Sequence, residues 1–181
     1  VVETKNEVWP GRSFNGDEEQ IKDKIENYIT ALEKNGIIST AKHYPGGNLE
    51  KNPHWFRVKT VTDETELSYF EKAIKSNVSA IMIGHTIVSG IIDSRGRQST
   101  VSKEVINYLR EEQKFDGLVI TDAITMLGLK VSYLFREKQM YLDLVNAGND
   151  IVLYVGAPSW RFSERKVRKI IETISENVRT G

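Results

Sequence analysis

The chain has 181 residues, 39% of them hydrophobic and 28% charged, and its 25 basic side chains balance 25 acidic ones. That length supplies apolar material for one core, and the balance excludes the basic excess expected of a nucleic-acid-binding protein. No stretch approaches the roughly eighteen apolar residues of a membrane span, and the absence of cysteine excludes disulfides and thiolate zinc sites. The chain opens "VVETKNE", without a basic start followed by an apolar run, so no signal peptide is expected here. The compartment stays open between cytoplasm and export.

The elements alternate along the chain. Residues 17–35 carry Ile21, Ile25, Tyr28, Ile29 and Leu32 at helical spacing, and Gly36 is placed to stop that helix. "GIISTAKHY" then reads as a short strand, and residues 62–77 as a helix with Leu67, Phe70 and Ile74 facing inward. "VSAIMIGH" is a continuous apolar run of the kind buried parallel strands show. Ser102 is placed to cap a helix carrying Val105, Ile106 and Leu109. "GLVITD" is the next strand, residues 132–147 the next helix, and "DIVLYV" a fourth strand. Ser163 opens a last helix with Val167, Ile170, Ile171, Ile174 and Val178 on one face. Helices alternating with apolar strands predict an α/β fold with a parallel sheet, in one domain over residues 1–181.

Polar residues end these strands: Lys42 and His43, then His85, then Thr121 and Asp122. Parallel α/β folds bind ligands at the carboxyl ends of their strands. A cation, two imidazoles and a carboxylate are therefore expected on one surface. The loop after Lys42-His43, "PGGNLEKNPHWF", adds His54, the third and last nearby imidazole. No histidine pair has helical i, i+4 spacing with a glutamate, so neither a metal nor a cofactor is implied. "YPGGN" lacks the ending of a phosphate loop.

Several segments, taken together and in order, resemble glycoside hydrolase family 3, in its β-N-acetylhexosaminidase branch. "GRSFNGDEEQI", "AKHYPGGN", "AIMIGHTIVSGIID", "STVSKEVINYLREEQKFDGLVITDAITM" and "NAGNDIVL" are similar to its segments from Trp9 to Val155. The resemblance implies a (β/α) barrel of TIM type, of which this chain matches the later half, about four β/α units. Such a half leaves edge strands open. Either the chain is a piece of a longer protein, or another chain completes it, or it is a rearranged domain stable by itself.

The resemblance also implies roles. Asp122 in "ITDAITM" matches the nucleophile, where the residues without the resemblance read rather as a helix N-cap. His54 matches the acid/base histidine, which in this branch follows an aspartate by two residues; here Asn52 stands in that place and the loop is one residue shorter. Asn52 is able to orient the ring but not to raise its pKa by charge, and Glu50 is a candidate substitute. Lys42, His43 and Arg12 match sugar-binding positions. His85 is placed to line the pocket floor or to sit in the core, and Met126 to pack near the sugar or in the core. Gly46 and Gly47 read as turn residues, and Trp160 as a stacking platform or a core cover. The implied reaction is retaining hydrolysis of terminal N-acetylglucosamine from cell-wall or chitin-type oligosaccharides. The alternatives are a glycoside phosphorylase and a non-catalytic sugar-binding or interaction domain.

Overall fold

The computed structural model describes residues 11–47, 49–134, 136–155 and 163–180. Helix α1, Glu18–Lys34, begins at a capping box: Asp17 accepts from the Gln20 amide and the Gln20 side chain accepts from the Asp17 amide. Strand β1, Thr40–Tyr44, and strand β2, Lys59–Thr62, precede helix α2, Glu64–Lys75, which Asp63 caps. Strand β3, Ala80–Ile83, is followed by β4, Ile87–Gly90. A 3₁₀ turn at Ser99–Val101 leads to helix α3, Lys103–Asn107, capped by Ser102 and continued by a wider π turn at Tyr108–Glu112. Strand β5 is Leu118–Thr121, followed by α4, Leu127–Tyr133, α5, Glu137–Asn146, and α6, Glu164–Thr180.

The main sheet is parallel, in the order β1-β3-β5. Each strand reaches the next through a helix, so the three form an arc of a (β/α) barrel. Residues level in the ladder alternate between its faces. Ala41, Ile81 and Val119 are level, and all are buried against the helices. Lys42, Met82 and Ile120, one step on, are level and only half-buried, on the other, concave side. The β1–β3 register slips by one residue between Lys42 and Tyr44. The slip sets Tyr44 level with Ile83, both fully buried on the helix side, and leaves both Lys42 and His43 turned toward the concave face. An extra residue in a ladder re-aims side chains in this way.

Most expected elements are present, with five differences. The single helix expected over residues 132–147 is two, because Leu134 takes a left-handed conformation (φ 41°) that no helix continues through. "DIVLYV" forms a bridge, Ile120 with Ile151, rather than a strand. The strand expected from Gly36 begins at Thr40. Strands β2 and β4, unexpected from sequence, form a separate parallel pair. Finally, Tyr28, Ile171 and Val178 are exposed, although the helical spacing placed them inward. A second apolar cluster, with Ile124, Leu129, Met140, Leu144 and Ile170, joins α4, α5 and α6.

Candidate active site

Asp122 follows the last residue of β5. Its backbone N–H donates to the Ile83 carbonyl at 2.9 Å, which ties it to the end of β3. It caps no helix: α4 starts five residues later, after Met126. Its Oδ1 accepts from the Ala123 amide at 2.7 Å, and its Oδ2 lies 3.7 Å from His43 Nε2. The two side chains are 18% and 13% exposed, so both face a partly enclosed space.

His43 leads into a tight turn. The Gly46 amide donates to the His43 carbonyl at 2.8 Å. Gly46 and Gly47 both have positive φ, 87° and 102°, and a Cβ on Gly47 would lie 2.2 Å from Thr60 Oγ1. Only glycine fits there, which accounts for the "GG" of the sequence. The chain then runs as an arm over residues 49–56. Leu49 and Pro53 are buried, while His54, Trp55 and Phe56 are exposed.

Asn52 organises this arm. Its Oδ1 accepts from the His54 backbone amide at 2.9 Å, and its carbonyl accepts from the Trp55 and Phe56 amides at 3.1 Å. The arm docks on α4 through the Leu127 amide, which donates to the His54 carbonyl at 2.9 Å. The His54 ring titrates below its ordinary range. Loss of hydration is the main cause; Arg12 and His43 add to it and Asp122 opposes it. Those three side chains therefore act electrostatically on His54. Glu50 is elsewhere: it is exposed and lines a separate polar groove with Lys59, Asp63 and Glu66.

His85 and Met126 are placed differently from a surface reading. His85 is 1% exposed, with Nδ1 2.6 Å from Thr100 Oγ1 and Nε2 3.0 Å from the Ala123 carbonyl. Burial pushes its pKa down. Met126 is 5% exposed, at the N-cap of α4. Lys42 is half-buried on the concave face, and no hydrogen bond or ion pair joins its ammonium to another described residue. Trp160 lies outside the described residues.

Between His43, Leu49, Pro53, His85 and Asp122 the cavity holds about 10 Å³, room for about one water. Thr100, Leu127, Leu49 and Pro53 had no signal in the sequence, because each acts through a contact with a distant segment. No group of three or more metal-ligating side chains occurs among the described residues, and none of their helices is long and apolar enough to cross a membrane.

The model of the glycosyl hydrolase family 3 N-terminal domain matches residues 1–181. The chain belongs to that family. It is 27% identical over 165 residues to a β-N-acetylglucosaminidase/β-glucosidase of Cellulomonas fimi, covering 83% of this chain and 29% of that protein. It is 30% identical over 150 residues to a β-hexosaminidase of Haemophilus influenzae (strain PittEE), covering 78% and 41%. The chain thus spans less than half the length of either relative. A family 3 β-N-acetylglucosaminidase from Paenibacillus sp. str. FPU-7 superposes with a TM-score of 0.75 at 22% identity, over 97% of this chain and 38% of that one. The β-glucoside phosphorylase BglX gives 0.82 at 20% identity, over 99% and 34%. These structures share the fold, and the arc β1-β3-β5 is part of a family 3 TIM-type barrel.

Proposed function

We propose that the chain is the nucleophile-bearing later half of a retaining β-N-acetylhexosaminidase, acting on terminal N-acetylglucosamine of cell-wall or chitin-type oligosaccharides. A further segment or a second chain supplies the remaining strands. The observation that carries this reading is the meeting of His43 and Asp122 across β1 and β5, with His54 feeling the charge of Asp122.

In the first step Asp122 Oδ2 attacks the anomeric carbon and forms a glycosyl ester, while the His54 imidazolium gives its proton to the leaving oxygen. In the second, neutral His54 takes a proton from water, which displaces Asp122. Lys42, whose ammonium has no protein partner among the described residues, is available to donate to ring hydroxyls together with His43 and Arg12. Asn52 holds the arm that carries the acid/base. Met126 packs beneath the sugar site.

The test is hydrolysis of an aryl N-acetylglucosaminide by Asp122→Asn, with mass spectrometry of the wild type after exposure to an activated fluoro-sugar. Loss of turnover and an adduct on Asp122 are expected. Unchanged hydrolysis overturns the assignment. Sugar binding without turnover in the wild type favours a non-catalytic domain.

One observation favours a second reading, a glycoside phosphorylase. Asn52 brings no negative charge beside His54, so an anionic attacking group meets less repulsion there. Faster turnover with added phosphate, yielding the sugar 1-phosphate, would support it.

A further inference from the structure

Beneath Asp122 lies a buried chain of hydrogen bonds that the chemistry above leaves without a role. It starts at Asn149, whose Nδ2 donates to the Thr100 carbonyl at 2.8 Å and to the Leu144 carbonyl at 2.6 Å. Thr100 stands 2.6 Å from His85 Nδ1, and His85 Nε2 stands 3.0 Å from the Ala123 carbonyl. Asn149, Thr100 and His85 are all buried.

The partners fix the proton positions. A carbonyl only accepts, so His85 Nε2 carries a hydrogen and donates it to Ala123. A charged ring is costly in this place, so Nδ1 keeps its lone pair and accepts from the Thr100 hydroxyl. The 3.4 Å approach of that hydroxyl to the Gly84 carbonyl is then a secondary contact. Both ring nitrogens are used, and the ring is out of reach of solvent. Nothing remains with which His85 could hold a sugar hydroxyl.

What His85 does hold is residue 123. The Ala123 carbonyl is held by His85 and by the Met126 amide, each at 3.0 Å, and the Ala123 amide is the donor to Asp122 Oδ1 at 2.7 Å. With Oδ1 fixed, Oδ2 faces His43. We propose that His85 is a positioning residue, which together with Thr100 sets the attacking orientation of the Asp122 carboxylate through Ala123. Without it the Ala123 carbonyl keeps only the Met126 amide, the 123–124 peptide is free to tilt, and the Ala123 backbone torsions that aim its own N–H at Oδ1 shift with it. The inference rests on the reading of Asp122 as nucleophile.

The experiment is made in the complete protein with His85→Leu, His85→Gln, Thr100→Val and, in parallel, Asp122→Asn. Glutamine at position 85 is able to donate to Ala123 and accept from Thr100, and leucine does neither. Misplacement of a reacting group by a distant change costs up to about a hundredfold in rate, so His85→Leu is expected to lose kcat on that scale with KM within about twofold. The rate of fluoro-sugar adduct formation should fall in step. His85→Gln should recover most of the loss, and Thr100→Val should fall between. A rise in KM at unchanged kcat would make His85 a sugar ligand and overturn the proposal. Should His85→Leu not fold, full-speed Thr100→Val overturns it instead. Full activity in Asp122→Asn removes the nucleophile reading and the role of His85 with it. An inactive Asp122→Asn beside fully active His85→Leu and Thr100→Val removes the positioning role alone.

Discussion

The carboxamide oxygen of Asn52 accepts a hydrogen bond from the backbone N–H of His54, 2.9 Å away. The side chain that stands where an acidic partner was expected thus shapes the arm instead of charging the ring. His54 titrates below its ordinary range of about 6.5, first because its ring is partly dehydrated. A general acid works while protonated, so the limb of kcat/KM that it controls is present at low pH and falls as pH rises through a midpoint below that value. Asn52→Asp places a carboxylate in reach of the imidazolium and favours it. The limb is expected to move to higher pH, by about one pH unit. A pH profile of aryl N-acetylglucosaminide hydrolysis checks this; an unmoved limb would mean that His54 is not the acid.

Gly128 governs the docking of the same arm. A Cβ on it would lie 2.3 Å from both the Pro53 and Phe56 carbonyl oxygens, which are backbone and have little room to yield. Gly128→Ala therefore opposes the docked arm, at a cost of about 1–3 kcal/mol typical of overpacking. The Leu127 amide then loses the His54 carbonyl. Hydrogen exchange should show the Leu127 amide opening faster, with lower kcat/KM. Unchanged protection at Leu127 would show that the arm docks by other contacts.

The fold was legible where a strand is a continuous apolar run. "VSAIMIGH" and "GLVITD" are continuous apolar runs, and they are β3 and β5. Strands β2 and β4 were not, because "KTVT" and "IVSG" are half exposed and lie outside the main sheet, in a separate pair. The break at Leu134 carries no glycine or proline to announce it. In the site, the type of side chain at each strand end was readable but its direction was not. His43 and His85 both end strands, yet one reaches Asp122 and the other turns into the core. That difference comes from the register slip in β1 and from Thr100, neither of which has a local sequence signal.

At the opposite end of the sheet, Glu33 joins α1 to the starts of β1 and β3. Its Oε1 accepts from the Ser39 amide and hydroxyl at 2.9 and 2.5 Å, and from the Ser79 amide and hydroxyl at 3.2 and 2.7 Å. These donors favour the carboxylate and hold its pKa down at about 2, the Ser39 hydroxyl contributing most. A group whose pKa is depressed on folding stabilises the fold above its unfolded pKa and loses that contribution as pH falls toward the folded value. The window here runs from about 4.5 down to about 2. The carboxylate is partly exposed, so solvent screens it, and Glu33→Gln is expected to cost about 1 kcal/mol at pH 7. For a chain of this size that lowers Tm by about 2–4 °C. Thermal unfolding at pH 7 and pH 3 checks the sign: the gap between wild type and Glu33→Gln should narrow at the lower pH. A gap that is absent at pH 7, or that widens in acid, would show that Glu33 does not tie α1 to the sheet through its charge.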